Sequence, residues 1–375
     1  MDNILTYLKW RGDLSFEEKP FNEVDSLIFA LISYIEWDNE IKKEGVLLKE
    51  ACLTYFNNHD QKYFKQHYIF SPMIVDLIQL LPSISRYQNV KLSHYKSIND
   101  KEKGVQFGAI CIEFSKNTYY ISYRGTDAYI LGWKEDFEML HSDVILAQTY
   151  ASCYLQELKD KLISSKKWWQ FKKNVSHIYI GGHSKGGNLA MYAAITNKEY
   201  VNMIEGVYNF DGPGFRENFY KKYLIHLIQD KLHHYMPESS IFGRLLTHPI
   251  SPIIIKGYSS GLVQHDAFYW CVTHDHFIYG DVLNKESDQI QYYFDKILLS
   301  KSDEEIKIFG NTVFKILKDM HVETLNDFTE IGFRRWLLAI KEVRMMSKEE
   351  YRMFYELLKL IFSQSKVLIF ERLRH

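Results

Sequence analysis

Apolar residues follow two different periods along this chain. In residues 27–35 they recur at helical spacing behind the cap-like Asn22-Glu23-Val24-Asp25, which predicts a helix. Residues 46–56 and 73–81 predict two more; the second is entered through Ser71-Pro72 and stopped by Pro82. Tyr7, Trp10 and Phe16 stand among charges ahead of them, and Phe29, Tyr34 and Trp37 are expected in a core. From Gly104 the period falls to two. β-Branched and aromatic runs at 107–114 and 118–124, joined by Ser115-Lys116-Asn117, predict a hairpin.

After Arg124-Gly125-Thr126-Asp127 and a segment with Trp133 and Asp136, strands and helices alternate. Helices are expected at 144–164, 189–195 and 215–229, and strands at 175–180, 206–211, 232–236, 253–256 and near 268–272. Such alternation implies a sheet that is parallel in its centre. Beyond Asp281 the chain reads as charged amphipathic helices at 287–299, 303–320, 325–345 and 348–372. Apolar spacing such as Leu357, Leu358, Ile361 and Phe362 there means helices packing on each other. The expected division is a helical N-terminal segment over 1–100, an α/β core over 101–285 and a helical extension over 286–375.

Composition narrows the function classes. Against 46 Lys and Arg stand 47 Asp and Glu, so no global field points to nucleic acid or an anionic membrane. Cys52, Cys111, Cys153 and Cys271 are far apart and form no Cys-x-x-Cys pair, which reads as buried free thiols in a reducing compartment. The first residues lack a basic region and apolar run of the signal-peptide kind, and no run approaches the roughly 18 apolar residues of a spanning helix. A cytoplasmic protein is expected, with peripheral membrane contact left open.

The chemistry centres on Gly182-His183-Ser184-Lys185-Gly186, which fits Gly-x-Ser-x-Gly between a buried strand and an alanine-containing helix. Glycines let strand and helix pass close to a strained turn that projects the serine hydroxyl, and the helix N-terminus faces any oxyanion formed there. The frame of a phosphate-binding loop is absent. A serine needs a base, and the base an orienting carboxylate. His265 follows two further strands and is the first candidate base; His274 and His276 are its competitors. Asp211, ending a strand at Gly212-Pro213-Gly214, is the first candidate acid and Glu238 the second. The N–H of Lys185 and the backbone and hydroxyl of Thr126 are candidate oxyanion donors. Arg124 is expected to anchor that loop through Asp127 or Asp136. No metal and no cofactor is expected.

Tyr123-Arg124-Gly125-Thr126, the serine turn and the segment from His265 to Trp270 occur in an order that resembles the fungal-type lipases. The chain looks still more like a bacterial family of lipase-like proteins of unassigned function. The shared features are Trp10-Arg11-Gly12-Asp13, Phe21-Asn22-Glu23-Val24-Asp25, Gly186-Gly187-Asn188-Leu189-Ala190, Asn209-Phe210-Asp211-Gly212-Pro213-Gly214-Phe215 and Gln264-His265-Asp266, within about residues 1–275. The resemblance implies an α/β-hydrolase fold and a triad of Ser184, His265 and Asp211. Lys185 and Asp211-Gly212-Pro213-Gly214 depart from the secreted lipases, which carry an apolar residue and a Phe-Gly-x-Pro turn there. The expected activity is a serine hydrolase acting on an ester or thioester, most naturally a lipid-like acyl ester. Its rivals are a transacylase using the same site and a non-catalytic hydrolase-fold binding protein. The C-terminal helices are a candidate surface for self-association.

Overall fold

The computed structural model describes residues 2–38, 40–41, 44–60, 62–64, 71–127, 130–158, 162, 176–259, 261–285, 287–288, 291–292, 301–321, 348 and 351. Among the described residues an eight-stranded sheet follows chain order: β1 (Val46–Leu47), β2 (Lys91–Asp100), β3 (Val105–Ser115), β4 (Thr118–Tyr123), β5 (His177–His183), β6 (Ile204–Phe210), β7 (Leu232–Pro237) and β8 (Ile253–Ile255). Neighbours from β1 to β4 are antiparallel. From β4 to β8 all pairs are parallel, so the C-terminal ends of five strands lie along one edge. Ligand sites of open α/β sheets form at that edge.

Both faces of the sheet are covered, and β3 shows how its sequence serves both. Ile110, Ile112 and Phe114 enter one core while Ala109 and Cys111 enter the other, as a period of two requires. The first core lies under α1 (Ile4–Arg11), α2 (Glu23–Ile32), α3 (Leu48–Asn58) and α4 (Met73–Leu80). The second lies under α6 (Leu146–Glu157) and α7 (Lys185–Thr196), which come after α5 (Ile130–Glu138). α8 (Glu217–Lys222) adds Phe219 to the second core. α9 (Asp303–Asp319) packs on α5 through Phe309 and Phe314, whose rings lie 6.0 and 6.2 Å from that of Phe137. Parallel strands with a sharp strand-to-helix turn after β5 make this the α/β-hydrolase fold expected from the sequence.

Several elements differ from their sequence expectation. Residues 91–100, expected within a helical segment, form β2: the strand is polar and half-buried, it is bulged between Ser93 and Lys96, and its outer neighbour has only two residues. α1 was hidden by its charges and is secured by a capping box between Asn3 and Thr6. The segment around Trp133 is α5. The helix expected at 215–229 is confined to Glu217–Lys222: Tyr223 is extended at φ −113° and ψ 144°, and the chain continues as short 3-10 turns while the Phe215, Phe219 and Tyr223 rings pack on Tyr192. Near 268–272 a 3-10 turn precedes the small hairpin of β9 (Val272–Thr273) and β10 (His276–Phe277). Cys153 is exposed on α6, whereas Cys52, Cys111 and Cys271 are buried. The helix expected at 325–345 lies outside the described residues, as do all of 348–372 but 348 and 351, most of 287–299, and the part of 144–164 beyond Leu158 except Leu162.

The N-terminal helices are held by one buried ion pair. Asp25, third in α2, accepts from the Tyr7 and Tyr87 hydroxyls and from Arg86 Nε and Nη2 at 2.6–2.9 Å, and both charged side chains are fully buried. Arg86 spends its other donors on the carbonyls of Leu14, Ser15, Lys19 and Pro20. Desolvated charges persist only when satisfied in this way. Arg86→Met should therefore cost roughly 3–5 kcal/mol, seen as a lower urea midpoint with unchanged slope.

Candidate active site

β5 ends at His183, α7 starts at Lys185, and the single residue between them, Ser184, has φ 57° and ψ −135°. A side chain is strained in that region, so the surroundings must impose it. A Cβ on Gly182 would lie 2.4 Å from the Gly186 carbonyl carbon, and one on Gly186 would lie 2.1 Å from the Tyr123 carbonyl oxygen. Only glycine allows β5, α7 and the end of β4 to close on each other here. The Ser184 N–H bonds to the Phe210 carbonyl at 2.8 Å, which fastens the turn to β6.

The parallel edge brings the other candidates to this turn. Asp211 directly follows β6 with φ 53°, and a Cβ on Gly212 would meet the Ser184 carbonyl oxygen at 2.2 Å. His265 follows β8, and its Nδ1 lies 2.6 Å from Asp211 Oδ2. The fully buried carboxylate also receives the Ser240 hydroxyl and the Gly243 N–H through Oδ1. Phe242 and His183 pack their rings 4.5 and 4.6 Å from the His265 ring. Among the described residues the Ser184 hydroxyl has no hydrogen bond to His265; such catalytic contacts commonly tighten only around substrate. Glu238 follows β7, but it meets Gly280 and makes no hydrogen bond to His265. His274 and His276 are exposed on the β9–β10 turn, where Asp275 pairs with His276 and Lys19.

His183 couples the turn to the loop of His265. Its Nε2 lies 2.8 Å from the His265 carbonyl, which can only accept, so Nε2 carries the proton and Nδ1 accepts from the Tyr34 hydroxyl at 3.0 Å. Burial and then the neighbouring His265 hold this imidazole well below the ordinary histidine range, in its neutral form. Tyr34, expected simply as core, thus stands half-buried behind the turn. A Cβ on Gly125 would meet its hydroxyl at 2.1 Å and the Ser184 Cβ at 3.1 Å, which puts the loop of Gly125 and Thr126 against the serine.

That loop is fastened by groups the sequence had placed otherwise. Arg124 is buried and donates to Ser97 Oγ and the Phe107 carbonyl, not to Asp127 or Asp136. The Thr126 hydroxyl bonds Asp136 Oδ2 at 2.6 Å. Burial raises the Asp136 carboxyl to about 6, against the opposing pull of Lys185 and of the Thr126 hydroxyl. Lys185 turns its side chain away from solvent: Nζ lies 2.8 Å from Glu135 Oε2 and 3.2 Å from the Gln106 carbonyl. Glu135 was missed, although a lysine at the start of a helix buried all round demands a counter-charge.

No helix among the described residues is long and apolar enough to cross a membrane. Similar solved structures include M37 lipase, 14% identical over 58% of this chain and 67% of that one, with a TM-score of 0.31. Lipase II from Rhizopus niveus is 11% identical over 59% of this chain and 86% of its own, with a TM-score of 0.32. The lipase from Rhizopus microsporus var. chinensis is 12% identical over 62% and 84%, with a TM-score of 0.33. Among curated proteins, none matches the chain. The model of the Mbeg1-like family matches residues 81–315, more than half of the chain. The chain belongs to the Mbeg1-like family.

Proposed function

We propose that the chain is a serine hydrolase that cleaves an ester or thioester of an apolar, lipid-like acid through Ser184, His265 and Asp211. The observation that carries this reading is the 2.6 Å contact between His265 Nδ1 and the buried Asp211 carboxylate, beside a serine held at φ 57°. With Nδ1–H donated to Asp211, His265 Nε2 is the free base. It takes the Ser184 proton as Oγ attacks the acyl carbon, then returns that proton to the leaving alkoxide or thiolate. Water, deprotonated by the same nitrogen, releases the acid from the acyl-enzyme and restores the serine.

The negative oxygen of each tetrahedral intermediate needs donors at the turn. Lys185 is the first residue of α7, so its N–H has no acceptor within the helix. The Thr126 N–H on the facing loop is the second proposed donor. The Thr126 hydroxyl, bonded to Asp136, serves to hold that loop.

Fluorophosphonate should label the wild-type chain and fail to label Ser184→Ala; labelling that survives the substitution would exclude Ser184 as nucleophile. Asp211→Asn should lower kcat by about 10⁴-fold, whereas Glu238→Gln should leave it within a few-fold; steady-state rates on p-nitrophenyl esters distinguish the two carboxylates. The Asp136 shift adds a pH dependence. A carboxyl raised on folding binds more protons in the native state, so stability falls as pH rises from the ordinary carboxylate range through about 6. Asp136→Asn should flatten that fall when urea unfolding is compared at pH 4.5 and 7.

A further inference from the structure

We infer that Glu135, through its buried ion pair with Lys185, is a positioning residue that fixes the spacing between the two oxyanion donors; this rests on the hydrolase reading above. The pair joins parts of the chain 50 residues apart, and each side chain is only 1% exposed. Glu135 Oε2 receives Lys185 Nζ at 2.8 Å and the Gln106 N–H at 3.0 Å, while Nζ also reaches the Gln106 carbonyl. The first residue of α7 is therefore tied to α5 and to β3 together.

The next residue of α5 ties down the other donor. Asp136 holds the Thr126 hydroxyl at 2.6 Å, and successive helix positions point about 100° apart. One helix thus grips the nucleophile's helix with Glu135 and the facing loop with Asp136. α5 sits tightly on β3 and on that loop: a Cβ on Gly132 would lie 2.3 Å from Gln106 Oε1 and 2.8 Å from Thr126 Cγ2. A buried ion pair adds little stability over a well-packed apolar pair. Its directional bonds do fix position, and oxyanion donors work only within a few tenths of an ångström of their place. The charge in the serine turn is accordingly not a substrate contact but one end of a brace.

The test is the double variant Lys185→Met/Glu135→Met, which removes the brace without leaving either of its own two charges unpaired, alongside Lys185→Met alone. Both are compared with wild type on p-nitrophenyl butyrate, with thermal unfolding as the check on folding. A folded double variant should lose about 100-fold in kcat with KM within about threefold, because the donors act on the transition state. Lys185→Arg, which keeps a charge for Glu135, should recover at least about tenfold of that loss. A folded double variant with the wild-type kcat, or one whose loss lies in KM, overturns the proposal and leaves the hydrolase reading intact. Failure of both variants to fold overturns it too, since the pair would then serve the fold alone. A wild-type chain with no Ser184-dependent turnover removes the hydrolase reading, and this proposal with it.

Discussion

Holding a serine in a left-handed backbone conformation is the constraint on which the site depends. Strain of this kind costs about 1–3 kcal/mol and lasts only where neighbours leave no alternative. They come from both sides: the end of β4 presses on Gly186, Gly125 lies against the His183 carbonyl, and the turn after β6 brings Gly212 against the Ser184 carbonyl. Each contact is backbone on backbone, so a single added methyl would push a strand end away. The rigidity that permits this comes from the two cores, since β4, β5 and β6 are buried on both faces.

The N-terminal helices belong to this support. Glu23 of α2 accepts from the Tyr235 and Tyr279 hydroxyls and from the Phe277 N–H, so it spans β7 and the hairpin beyond His265. Asn3 donates to the Phe268 carbonyl, and the Asp2 carbonyl accepts from Val272. The stretch that carries His265 is thus clasped by the first helices, and the Asp25–Arg86 pair fixes those helices to each other. With Tyr34 reaching His183, the first third of the chain acts on the position of both the proposed nucleophile and the proposed base.

What the sequence made legible follows from what is local. Period two and period three to four marked the hairpin of β3 and β4, the parallel strands and α2 to α4, because each buries a full face. β2 escaped because a bulged, half-buried strand keeps neither period, and α1 because only three of its eight residues are buried. Ser184, Asp211 and His265 stood out through glycines and spacing. Glu135, Tyr34 and Ser240 did not, since each matters through a partner distant in sequence. Lys185 was legible as an oddity, and its counter-charge emerged only when the fold set Glu135 of α5 beside its ammonium.

The two candidate acids illustrate why neighbourhood decides a role. Aspartate visits the left-handed region more readily than longer side chains, and Asp211 adopts φ 53° as the first residue beyond β6, which brings a short carboxylate under His265. The loop after β7, where the competing acid stands, faces it with donors instead: the Ser240 hydroxyl and the Gly243 N–H both go to Asp211 Oδ1. With Oδ1 held by those two donors, Oδ2 faces Nδ1 at 2.6 Å. The position that offered Glu238 as an alternative thus supplies the groups that aim Asp211. An imidazole gripped at Nδ1 and at its own carbonyl has Nε2 as its remaining functional atom, the nitrogen that the proposed chemistry requires.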